Sequence, residues 1–116
     1  MPTITREQLF AAEDVDNAAP DVLISVPSLP VSQLLINGRV RFINHTAGAV
    51  TITAWAVPSG GSPGNGNIAL PVTSIGANSY LDVDVPQIGA GGTFEAQAGA
   101  AASITAQPLD GAYYAS

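Results

Sequence analysis

The chain has 116 residues, with three basic and nine acidic side chains, no Lys, no Cys, one His and a formal net charge of −6. That length is one domain of the commonest size, and the charge balance excludes a nucleic-acid surface, whose affinity comes from neutralising phosphates with Lys and Arg. The same balance works against docking on anionic membranes, and the lack of Cys excludes disulfides, thiolate metal sites and thiol nucleophiles.

Hydrophobic residues make up 47% of the chain but aromatics only 6%, so the core should be thin and built from small side chains. Two stacked sheets about 10 Å apart suit such residues better than Leu-rich helices. Only 10% of residues are charged, which leaves a surface of Ser, Thr, Asn, Gly and Ala expected to be covered by neighbouring subunits. No apolar run approaches the roughly 20 residues that span a bilayer. The N-terminus lacks the basic-then-apolar layout of a signal peptide, so the expected compartment is cytosol-like until assembly.

Residues 1–20 read as an N-terminal arm, extended or short-helical. Thr5 and Gln8 have capping-box spacing, which predicts one or two helical turns over Arg6–Glu13. Leu9 and Phe10 in this stretch are candidate contacts with a neighbouring subunit. The acids at Glu13, Asp14 and Asp16 lack the Gly and closing Glu of an EF-hand loop, and no metal is expected.

A β-domain over 21–116 follows. Asp21–Val26, bracketed by Pro20, Pro27 and Pro30, reads as an edge strand. Asn37-Gly38 is the dipeptide of a type I′ hairpin turn. Arg39–His45 and Ala49–Val57 alternate with period two around a break at Thr46–Gly48, which predicts a three-strand meander. Pro58–Asn67 reads as a long flexible loop, a protruding tip or contact, and holds no Walker A pattern. Further strands are expected over Ile68–Ile75, Asn78–Val85, Thr93–Ala98 and Ser103–Gln107. Pro108–Gly111 reads as a turn, and Ala112–Ala115 as a short strand or tail. Strands separated by turn signals every 8 to 12 residues or so point to an all-β, antiparallel β-sandwich, Ig-like or jelly-roll-like.

Catalytic patterns are sparse. His45 is the lone histidine and sits at a turn, and no G-x-S-x-G elbow exists. Asp82 and Asp84 share a strand face about 6.5 to 7 Å apart, but acid–base work needs one carboxyl in a cleft with a raised pKa. No catalytic residue, cofactor or metal is expected. Arg39 and Arg41 are the natural partners of those acids, within the chain or across to another. Tyr80 shares their face. Trp55 falls opposite Val50, Ile52 and Ala54, hence outward, and needs cover from the arm or from a subunit interface, where Trp is enriched.

Four stretches carry a likeness: Val40–Ser62, with its Asn-x-Thr strand end and Val-Pro-Ser-Gly-Gly; Ile75–Tyr80; Pro86–Thr93; and Ala98–Ala106. Together they resemble small β-sandwich virion proteins of tailed bacteriophages over about residues 38 to 107. Gly91-Gly92-Thr93 replaces the usual Gly-Glu-Thr, and the arm before Val22 lies outside the pattern. The resemblance implies a structural, non-enzymatic role, foremost capsid decoration or cement on the virion exterior after assembly in the host cytoplasm. Its partners would be the major capsid protein or another virion protein, and itself as a homotrimer or other symmetric homo-oligomer. A tail or head-fibre component and a carbohydrate- or receptor-binding module are the other readings.

Overall fold

The computed structural model describes residues 2–115; Met1 and Ser116, the outer ends of the expected arm and domain, lie outside it. The described residues form nine strands and one short 3₁₀ turn. Strands β1 (Thr3–Thr5), β2 (Glu13–Asp14), β4 (Leu34–Asn44), β7 (Ser79–Val85) and β9 (Ile104–Ala115) make a first sheet, ordered β1-β9-β4-β7 with β2 also on β9. Strands β3 (Asp21–Ser25), β8 (Thr93–Ala98), β5 (Val50–Val57) and β6 (Ile68–Ile75) make a second, in that order.

The pairings nest. Antiparallel ladders join β2 to β9, β3 to β8, β4 to β7 and β5 to β6. The chain is therefore one long antiparallel ribbon, tipped by the β5–β6 connection and rolled so that its strands fall into two layers. The β4–β9 and β5–β8 ladders close the roll. Between the sandwich types named above, this is the jelly-roll arrangement.

Between the layers, Ile24, Leu35, Val40, Phe42, Ile52, Phe94 and Ile104 are fully buried. Small residues Ala54, Ala96, Ala98 and Ala106 line the same inner faces, so the layers close on a thin core.

Several local expectations are corrected. The meander does not form, because β4 and β5 lie in different sheets. The corner between them is fixed by Asn44, whose buried amide donates to the carbonyls of Gly48 (2.8 Å), Ile75 (3.0 Å) and Gly76 (3.2 Å). Its oxygen accepts from the backbone N–H (3.0 Å) and hydroxyl (2.7 Å) of Thr46. These bonds turn the chain out of one layer and into the other.

Asn37-Gly38 makes no hairpin either. Asn37 does adopt φ +54, but as part of a bulge inside β4, between the Ile36↔Ala112 and Arg39↔Asp110 pairs. Gly111 (φ +142) stands opposite that bulge, and Pro108–Gly111, the expected turn, runs inside β9 instead. The register shifts again there, since Arg39 pairs with Asp110 and Val40 with Pro108; a bulge is where a sheet tolerates proline.

Residues 6–12 form no helix. An isolated turn or two is marginal, and the segment instead crosses between two short ladders on β9. The N-terminal segment is also woven in rather than merely laid on. Val15 is 1% exposed and in the core, its N–H bonds Ile104 in the first sheet, and the Asp16 carbonyl receives Ala98 N–H from the second. Finally, the 58–67 loop is braced by itself. Asn67 receives the Gly64 N–H on its side-chain oxygen (3.1 Å) and donates to Ser62 (2.9 Å).

Candidate functional site

The two outer faces of the roll differ in chemistry. On the first sheet, register places Arg39 opposite Asp84, Arg41 opposite Asp82, and Ile43 opposite Tyr80. Arg41 clamps Asp82 through Nε (2.7 Å) and Nη2 (3.0 Å), the paired geometry that suits a guanidinium. Its guanidinium also lies 4.1 Å from the Tyr80 ring centroid. Arg39 reaches Asp84 (3.3 Å) and Asp82 (3.8 Å), and Arg6 reaches Asp110 (3.9 Å). All three arginines of the chain therefore pair with the chain's own acids, on the first sheet's side.

The Arg41 hydrogen bond holds the Asp82 carboxyl below its ordinary range, with the nearby charges of Arg41 and Arg39 adding to it. A general acid needs the opposite shift. His45 keeps away from these carboxylates: its Nε2 lies 3.8 Å from Asp14, and four residues of strand, about 13 Å, separate it from Arg41. Burial, with the Asp21 charge second, pushes the Glu13 carboxyl up. No group of three or more His, Asp or Glu among the described residues is arranged to hold a metal ion. Beside the β4 bulge a groove of about 610 Å³ is lined by Asn37, Arg39, Asp84, Gln87 and Asp110. It holds no aromatic side chain and lies on the outer surface. Among the described residues no helix is long and apolar enough to cross a membrane.

Of the expected contact residues, Arg39, Arg41, Tyr80, Asp82 and Asp84 thus meet on one face. Trp55 stands on the other. Leu9 and Phe10 are half-buried against the core, with Leu9 seated over Gly111, where a Cβ would come within 2.6 Å of it. The eight residues do not form a single patch.

Around Trp55 the second sheet gathers side chains that alternation alone did not single out. Val22 pairs with Glu95, Glu95 with Trp55, and Trp55 with Ile68, so one outward row crosses all four strands. Val22 is 47% exposed, Ile68 39%, and Val72, beside the row on β6, 70%. Glu95 accepts a hydrogen bond from the Thr93 hydroxyl (2.7 Å) and has no part in the ion pairs of the described residues. Of this row only Trp55 was singled out in the sequence as outward; the strand order makes the four residues neighbours.

No family model matches the chain, and no match is found among curated proteins. Among solved structures it is similar to part of the structure of infectious bursal disease virus Gx strain, at 9% identity and a TM-score of 0.49, over 97% of this chain and 31% of that one. The chain thus spans under a third of that neighbour's length. A likeness this distant bears on neither function nor partner.

Proposed function

We propose that the protein is a non-enzymatic structural component of a virion, foremost a decoration or cement protein that binds the capsid exterior and stabilises shell subunits. One observation carries the reading: Val22, Ile68 and Val72 stand 39% to 70% exposed on the outer face of the second sheet, around Trp55. Meanwhile the three arginines are spent on Asp82, Asp84 and Asp110. Clustered apolar surface on a small domain marks a working state in which other protein covers it. The resemblance of the four stretches to tailed-phage virion proteins, which no family model or curated protein reproduces, supplies the kind of cover in this proposal, the major capsid protein or another virion protein, with homotrimers or other closed rings as the natural assembly. Jelly rolls also serve as lectins, and a fold does not choose its function; the paired, lowered Asp82 and a His45 that faces Asp14 rather than Asp82 or Asp84 favour a mechanical role over a chemical one. The gain per copy would be small and would add through many copies on one particle.

The test is co-sedimentation of the full chain with purified shells of the phage that encodes it, stripped of this protein. Saturable binding at a fixed ratio to the shell subunit is the expected result. A chain that stays in the supernatant at every ratio contradicts the proposal.

A further inference from the structure

We infer that the outer face of the second sheet is the docking surface, and that it takes a partner presenting a Lys or Arg framed by apolar side chains, seated on Glu95. This deepens the reading as a covered structural protein and rests on it. The row Val22, Glu95, Trp55 and Ile68 puts one carboxylate between Val22 and Trp55, with Ile68 one strand beyond the tryptophan. The Thr93 hydroxyl is the hydrogen-bond partner seen for Glu95. While the face is open to water that arrangement costs little. Once another protein covers the row the carboxylate loses its hydration, and an unpaired buried charge is strongly unfavourable. The partner must therefore bring a cation to it.

A second copy cannot meet that demand. A two-fold interface joins the same face of both copies, and the chain's three arginines all lie on the first sheet's side, so the partner's second sheet offers no arginine. Stacking this face on the first sheet of another copy would offer Arg39 or Arg6, but each comes with an exposed carboxylate: Asp84 is 3.3 Å from Arg39 with its side chain 89% exposed, and Asp110 is 3.9 Å from Arg6 with its side chain 56% exposed. The incoming carboxylate would meet Asp84 or Asp110 as readily as the arginine. With no Lys and three arginines in the sequence, all paired on the opposite side, the cation has to come from a different chain.

The size of the face fits repeated weak attachment. Four strands about 4.8 Å apart and some six residues of about 3.3 Å outline a patch of roughly 400 Å². That is about half the ~800 Å² per partner of a standard stable interface. A single contact of this kind is transient, and its use lies in many copies binding one lattice.

The face can be tested without the natural partner. The isotope-labelled full chain is titrated in NMR with the capped tripeptide Leu-Arg-Leu, and with Leu-Gln-Leu as the neutral control. Shifts centred on Val22, Thr53, Trp55, Ile68 and Glu95, with affinity about fivefold higher for the Arg peptide, are expected. Glu95→Gln, which changes no volume, should remove that preference and keep the fold. Shifts centred elsewhere, or equal affinities on the wild-type chain, overturn the inference. So does concentration-dependent dimerisation through the same residues, which would make a second copy the occupant. Shell binding then separates the two proposals. A chain that binds shells as well with Glu95→Lys as without it keeps its virion role and loses this face. A wild-type chain that binds no shell loses the virion role, and the peptide titration still decides the face.

Discussion

Replacing Asn44 by Ala should damage this fold more than any other single change outside the apolar core. Asn44 is fully buried and makes five hydrogen bonds that fix the corner between β4 and β5 and the end of β6. Gly48 and Gly76 are exposed, so their carbonyls regain water when the amide is removed. The carbonyl of Ile75, a residue 3% exposed, and the Thr46 N–H do not recover so easily, whereas the Thr46 hydroxyl keeps its bond to the Gly48 carbonyl (3.0 Å). Two poorly satisfied groups at about 1 to 1.5 kcal/mol each give a loss of about 2 to 3 kcal/mol. For a chain of this size that lowers Tm by roughly 8 to 12 °C. Urea unfolding followed by Trp55 fluorescence measures it. Asn44→Asp keeps the acceptor for Thr46 but turns a carboxylate toward three carbonyls, so at neutral pH it should be worse than Ala. Its folded pKa would be raised, so the deficit should narrow as pH falls and the acid regains an O–H donor. A loss below about 0.5 kcal/mol for Asn44→Ala, within ordinary surface variation, would refute the corner argument.

Other outcomes follow from the same geometry. Asp82 has a folded pKa held below the ordinary 3.8, so its contribution is present at neutral pH and fades as pH falls through the lowered folded value. Wild type should therefore exceed Asp82→Asn in stability by a constant margin at neutral pH, closing in acid and shrinking in high salt. Gly111→Ala places a Cβ at φ +142 and within 2.6 Å of Leu9, at a cost of about 1 to 3 kcal/mol. Limited proteolysis should then cut residues 6–12 faster, and an unchanged cutting rate would count against the docking of Leu9. Val15→Ala empties part of the core and should cost about 1.5 to 3 kcal/mol. Deletion of residues 2–16 should cost more than that, and a deletion variant as stable as wild type would show that the segment is only laid on the surface.

How much of this was legible beforehand can be followed residue by residue. The alternation in β5, β7 and β8 gave the all-β class and sent Trp55, Tyr80, Asp82 and Asp84 outward, because side-chain direction in a strand depends only on parity. The pairing of Arg39 and Arg41 with those acids followed from the scarcity of other cations. Strand order was not legible. A jelly roll pairs strands far apart in sequence, and nothing local tells β4 to seek β7 and β9 rather than β5. Asn37-Gly38 announced its positive φ correctly, but a bulge and a type I′ turn ask the same of the backbone. The capping-box spacing at Thr5 promised a helix that two ladders on β9 outcompeted. For the same reason Leu9, Phe10, Trp55 and Tyr80 look alike as exposed apolar candidates in the sequence, and fall in three separate places once the ribbon is rolled.

The most direct measurement is hydroxyl-radical footprinting of the full chain, free and mixed with the phage shells of the co-sedimentation test, comparing Trp55 with Tyr80. The two residues sit on opposite outer faces, so each reports on its own sheet. Protection of Trp55 on binding, with Tyr80 oxidised as in the free chain, is what the account predicts. Protection of Tyr80 with Trp55 unchanged would contradict it.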